Sequence, residues 1–190
     1  GALPFFFQSG RDSGDAANDA IDRGIYVIAA AGNDGGDDDD GDVASPASET
    51  AVIAVGGVTS SGTIWTGSSI GDNNGRFLPL PILMPRNDPH KKPEIVAPAY
   101  RVPVINNEGT WSLVDGTSAA TVFETGAIAL LLENNPELAA NGSQGSASTV
   151  NNVKEFIVQS SKKQEGQNGH DDHYGYGLLQ MDQLIIAANQ

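Results

Sequence analysis

The sequence predicts an α/β fold: a mostly parallel sheet with helices on both faces. Three observations carry that expectation. Residues 3–7 and 25–31 are continuous apolar runs on either side of an amphipathic stretch, the strand–helix–strand order of a βαβ unit. Runs that are apolar without alternation suit parallel strands buried on both faces. Further on, Asp115-Gly116-Thr117-Ser118-Ala119-Ala120 leads into the apolar run 126–132, which has helical length and is closed by Asn135-Pro136.

Residues 3–7 read as a short buried strand, followed by a polar turn over 8–14. A helix is predicted over 15–23, with Ala16, Ala17, Ala20 and Ile21 on one face and Gly24 as its stop. The next strand, 25–31, ends in Gly32-Asn33-Asp34-Gly35-Gly36. Ligands of open α/β sheets bind just beyond the carboxyl ends of strands. Asn33, which would otherwise be an ordinary turn residue, is therefore a candidate functional amide.

Asp37-Asp38-Asp39-Asp40, flanked by Asp34 and Asp42, reads as a solvated loop held open by self-repulsion. Clustered carboxylates also suit Ca²⁺, or a patch attracting basic substrate side chains. Residues 51–58 form another apolar strand. Residues 67–92 make an irregular excursion whose prolines exclude helix and sheet interior. Short strands follow at 92–98 and 102–105, and residues 111–114 bring the chain to Ser118. After the long helix come a polar linker at 139–148, an amphipathic helix at 149–160 carrying Val150, Val153, Phe156 and Ile157, and a polar loop with His170-Asp171-Asp172-His173. A last helix begins at Asp182. The pair His170 and His173 hints at a metal, but a polar loop explains it as well.

A chain of 190 residues is ample for one domain with a real core and short for two. Its net charge of −14 argues against nucleic acid or an anionic membrane as partner. Cysteine is absent, so the redox compartment is not legible. No apolar run reaches membrane-spanning length, and the opening residues lack the basic leader of a signal peptide. A strand that opens at residue 2 leads to the expectation that further sequence lies upstream.

Ser118 falls at or just inside a helix N-terminus, where unpaired N–H groups and the positive dipole end favour negative charge. A serine there can attack a carbonyl, because the same N–H groups can hold the oxyanion that forms. It is equally the residue type that N-cap positions prefer.

Four segments stand in fixed order: Ala29-Ala30-Ala31-Gly32-Asn33, Ser45-Pro46-Ala47-Ser48-Glu49, Lys92-Pro93-Glu94-Ile95-Val96-Ala97-Pro98 and Gly116-Thr117-Ser118-Ala119-Ala120. With the closing Tyr174-Gly175-Tyr176-Gly177-Leu178, they resemble the subtilisin-like serine proteases, or subtilases. The resemblance covers nearly the whole chain but only the C-terminal portion of a complete domain. It implies a three-layer fold incomplete at its N-terminus, with residues 1–190 forming one partial catalytic domain. It further implies a secreted endopeptidase acting on polypeptides and completed by an upstream half. Ser118 matches the nucleophile and Asn33 the oxyanion-hole asparagine. Ala30, Ala31 and Gly32 match a wall of the specificity pocket, and Ser9-Gly10 the strand end that pairs with substrate. No cofactor is required, although in some relatives carbonyls near Thr50 and Val52 plus the acid matching Glu94 bind structural Ca²⁺.

The sequence departs from the family in two places. Val122-Phe123 replaces the usual Pro-His after the nucleophile, and Glu124 follows on a helix expected to be buried, so Glu124 is expected to face solvent or a basic partner. The triad is also incomplete. All three histidines, His90, His170 and His173, follow Asn33, and Asp12-Ser13-Gly14 mimics the family's aspartate motif without a His-Gly after it. A binding or structural role for a subtilase-like fragment is the alternative. An α/β-hydrolase order, with Asp171 or Asp172 and His173, would leave the upstream segments unexplained.

Overall fold

A computed structural model describes residues 13–35, 42–71, 73, 85–140 and 146–190. The strand expected at 3–7, Ser9, Gly10 and the aspartates 37–40 lie outside the described residues. Three parallel strands organise the rest: β1 (Ile28–Ala30), β2 (Ile53–Val58) and β3 (Ile95–Pro98), hydrogen-bonded in that order. Ala29 lies opposite Ala54, and Val55 opposite Ile95. All six residues of β2 are buried, as its unbroken apolar run predicts.

Successive strand residues point to opposite faces. Ile53 and Val55 join the cluster under α2 (Thr117–Asn134), which contributes Ala120, Ala127, Ile128 and Leu131. On the other face, Val52 meets Ala17 and Ile21 of α1 (Ser13–Ile21), while Ala54 meets Ala31, Val43 and Ala47. Helix α3 (Ala147–Ser160) serves both clusters, giving Val150 to one and Val153 and Ile157 to the other. Helix α4 (Met181–Ala188) adds Leu184. The hairpin β4 (Val102–Ile105) and β5 (Trp111–Val114) is antiparallel and delivers the chain to α2. Residues 177–179 close the far edge of β3, with Val96 N donating to Gly177 O and Leu179 N to Val96 O.

The strand expected over 25–31 is shorter than its composition suggests. Residues 25–27 are used to leave α1, where Ile25 N donates to Ala20 O at 3.1 Å, and only the half-buried Ile28–Ala30 is a strand.

Glu124 does not face solvent or a base. It is fully buried on the stripe of α2 that carries Ala120, Ala127 and Leu131, because helical spacing leaves position 124 no other direction. Neither carboxyl oxygen has a hydrogen-bond partner among the described residues. Burial first, and then the charge of Glu94, pushes this carboxyl up to about 8.

A testable consequence follows from linkage. The folded carboxyl keeps its proton up to about pH 8, whereas the unfolded one releases it near 4.5. The native state therefore binds more protons within that window, and stability falls as pH rises through it, by ~1.4 kcal/mol per pH unit. Lys92, which burial pulls down to about 7, opposes the slope only above that pH. His90 and His170, pulled below the ordinary imidazole value by burial, oppose it inside the window. In denaturant titrations between about pH 5 and 7 the Glu124 part is therefore the difference from Glu124→Gln, whose stability should fall less, or rise more, with pH. An unchanged slope in the variant would mean that Glu124 does not hold its proton.

Candidate active site

Helix α2 starts at Thr117, so Ser118 is its second residue and is exposed. The N-cap position belongs to Gly116, and no side chain caps the helix. The capping role that the sequence left open for Ser118 is therefore not the one it takes. Gly116 has φ 145° and ψ 151°, backbone that a side chain rarely tolerates. Asn33 Nδ2 lies just beyond, at ordinary van der Waals distance from where a Cβ would stand, so the constraint on this position is its backbone conformation. Gly116 N is anchored to Ala99 O at 2.8 Å, which fixes the turn to the end of β3.

Asn33 lies three residues beyond the end of β1 and is tied to the same helix start. Its Oδ1 accepts from Thr117 N at 2.9 Å and stands 3.0 Å from Thr117 Oγ1. The Thr117 hydroxyl in turn accepts from Gly32 N at 3.2 Å and lies 3.1 Å from Gly32 O. With its oxygen committed, Asn33 has only Nδ2 left to offer, and among the described residues nothing accepts from it. Thr117 N is taken by Asn33 Oδ1 and Ala119 N by Gly116 O, which leaves the Ser118 N–H beside its own exposed hydroxyl; with the Asn33 amide it suits a carbonyl oxygen gaining negative charge.

The other expected residues divide into two groups. Ala30, Ala31 and Gly32 lead directly to Asn33: Ala30 is half-buried, Ala31 is fully buried with its N–H on Val55 O, and Gly32 is half-buried beside Thr117. Thr50, Val52 and Glu94 meet elsewhere. There Lys154 Nζ lies 2.6 Å from Glu94 Oε1 and donates to Thr50 O at 2.7 Å, while Lys92 Nζ lies 2.8 Å from the same carboxylate oxygen and donates to Val52 O. Glu94 Oε2 accepts from Ala54 N at 2.8 Å. Every oxygen that calcium would need is already bonded, and two cations stand among them, so these residues do not fit Ca²⁺.

The histidines are engaged away from Ser118. His170 Nε2 lies 2.9 Å from Pro93 O, and its ring meets Tyr176 edge-on at 4.9 Å. His173 Nδ1 is 3.9 Å from Asp171. His90 is held neutral by burial first and then by the charge of Lys154. Among the described residues no group of three or more His, Cys, Asp or Glu side chains is placed to hold a metal, which covers His170 and His173.

Sequence reasoning missed Thr117 as the residue that orients Asn33. Its place beside Ser118 was the available signal. It missed Lys92 and Lys154 altogether, because no local spacing marks them.

Comparison with known proteins agrees with this architecture. The subtilase family model matches residues 7–177. Subtilisin DY of Bacillus licheniformis is 28% identical over 178 residues, covering 91% of this chain and 53% of that protein. Subtilisin NAT of Bacillus subtilis subsp. natto is 32% identical over 117 residues, covering 62% of this chain and 26% of that protein. Among solved structures, the prenylagaramide maturation protease PagA superposes with a TM-score of 0.66 at 23% identity, covering 93% of this chain and 58% of the other. The self-cleaved protease domain of PatA gives 0.64 at 21% identity, covering 94% and 58%. The chain spans about half the length, or less, of the relatives it matches. With the family model spanning most of its residues, the chain belongs to the subtilase family.

Proposed function

We propose that this chain carries the nucleophile and oxyanion-binding half of a serine endopeptidase acting on polypeptides outside the cell. Ser118 Oγ attacks the scissile carbonyl, an acyl-enzyme forms, and water releases it. The Asn33 amide and the Ser118 backbone N–H share the developing oxyanion, while Ala30, Ala31 and Gly32, joined by Ser9-Gly10, seat the substrate. The observation that carries this reading is the double contact of Asn33 Oδ1 with Thr117, which turns the amide nitrogen toward the head of α2.

A serine hydroxyl is a poor nucleophile without a base. Among the described residues no imidazole bonds to Ser118, and His170 and His173 have other neighbours. The reading therefore assigns the general base and its orienting carboxylate to an upstream half of the domain. The second reading is a catalytically incomplete subtilase used for binding.

Labelling by a serine-directed fluorophosphonate separates the two. Residues 1–190 alone should neither hydrolyse peptides nor label at an appreciable rate. Adding the upstream half, in cis or in trans, should restore both, and Ser118→Ala should abolish them. Rapid Ser118-dependent labelling of the isolated chain would mean that a base lies within it, and a completed domain that stays inert would favour the binding role.

In the completed enzyme, Asn33→Ala should lower kcat by on the order of 10²–10³, a magnitude borrowed from a subtilisin rather than deduced from this chain. Thr117→Val removes the hydroxyl contact with Asn33 but keeps the backbone one, so it should lower kcat by a smaller factor with KM nearly unchanged. A Thr117→Val enzyme in which only KM moves would remove Thr117 from the positioning of Asn33.

A further inference from the structure

We propose that the ammonium groups of Lys92 and Lys154 stand where a metal ion would otherwise bind, so that the approach to β2 is clamped to α3 and to the start of β3 by the protein's own cations. Two backbone carbonyls and a carboxylate oxygen converge here from separate parts of the chain. Thr50 O and Val52 O come from the segment before β2, and Glu94 Oε1 from the residue before β3. Such carbonyl and carboxylate oxygens are the donor set of a hard cation. Lysine ammonium is a compact point charge with three donors and can fill the same role.

The geometry is that of a built site rather than a surface ion pair. The side chains of Lys92, Lys154 and Glu94 are at most 1% exposed. Lys154 Nζ reaches Glu94 Oε1 at 2.6 Å, Thr50 O at 2.7 Å and Val52 O at 3.4 Å, so its three acceptors match its three donors. Lys92 Nζ shares Glu94 Oε1 and Val52 O. The second carboxylate oxygen is held by Ala54 N, which fixes the rotation of the group. Below about pH 7, where Lys92 keeps its proton, two ammoniums against one carboxylate leave the cluster net positive, and burial and the charge of Lys154 disfavour a charged His90 imidazole beside it. A free metal ion would have to enter against that field and displace both lysines. The arrangement owes nothing to Ser118 and stands whether or not the protease reading holds.

Paired thermal melts test the proposal, using the whole chain and Lys154→Met, a change that keeps the apolar stem. Each is titrated with CaCl₂ or KCl, with MgCl₂ as ionic-strength control. The unaltered chain should show no calcium-specific shift. Lys154→Met should melt lower by on the order of 10 °C, and should recover part of that loss in calcium or potassium, because Thr50 O is left bare and Val52 O and Glu94 Oε1 each lose one of their two ammonium contacts. The readout is the difference between the two proteins in the same titration, so calcium bound at the aspartate-rich loop cancels. If Lys154→Met does not fold in low salt, cation-dependent folding of it, or of Lys92→Met, is the supporting result. The proposal is overturned if variant and parent respond to cations identically, if Lys154→Met melts like the parent, or if neither lysine variant folds in any cation.

Discussion

The contact between the end of β1 and the start of α2 is the constraint on which the site depends. Parallel pairing brings the carboxyl ends of β1, β2 and β3 to one edge, and Gly116-Thr117 returns the chain across that edge. Thr117, fully buried, bonds to both Gly32 and Asn33, so strand end and helix start behave as one unit. The approach is close because β2 presents Gly57 below it. A Cβ at that position would stand 2.5 Å from Ala99 Cβ and 3.5 Å from Thr117 Cγ2. Displacing α2 outward by one side chain would break the Asn33 contacts, since hydrogen bonds near 3 Å do not survive such a shift.

The parts of this architecture that local pattern encodes were legible beforehand. The unbroken apolar run at 51–58 marked a strand buried on both faces, and the apolar run after Ser118 marked a central helix. Asn33 was legible because strand ends are where parallel sheets place ligands. Composition misled at residues 25–27, where an apolar but partly exposed stretch serves the exit from α1. It misled again at Glu124, where the expectation that carboxylates avoid cores outweighed the helical spacing that put one there. The lysine cluster was invisible for a different reason: Thr50 and Lys154 lie 104 residues apart, and no period in the sequence links them.

The two buried carboxyls show how one penalty is met in two ways. Taking a carboxylate out of water is costly unless it is paired or loses its charge. Glu94 is paired, with both oxygens bonded and two ammoniums against it. Glu124 has no such partner among the described residues and stays neutral over most of the physiological range. The first solution ties three segments of chain together. The second ties nothing: above the ordinary carboxylate range it costs stability without joining one segment to another.

The composition of α2 bears on where a catalytic partner would stand. The helix is apolar around most of its circumference, yet only one side meets the described sheet. Val122, Phe123 and Leu130 are 70%, 45% and 52% exposed. A helix with that pattern suits a position between two layers rather than at a surface. Ser118, Val122 and Ala129 are all exposed and follow helical spacing along that outward side, so the hydroxyl sits at the head of it. A general base approaching Ser118 without disturbing the Asn33 contacts must come from the outward side, because the inward side is occupied by β2 and β3. Any base acting on Ser118 would thus be presented from the face of α2 that carries Val122 and Ala129.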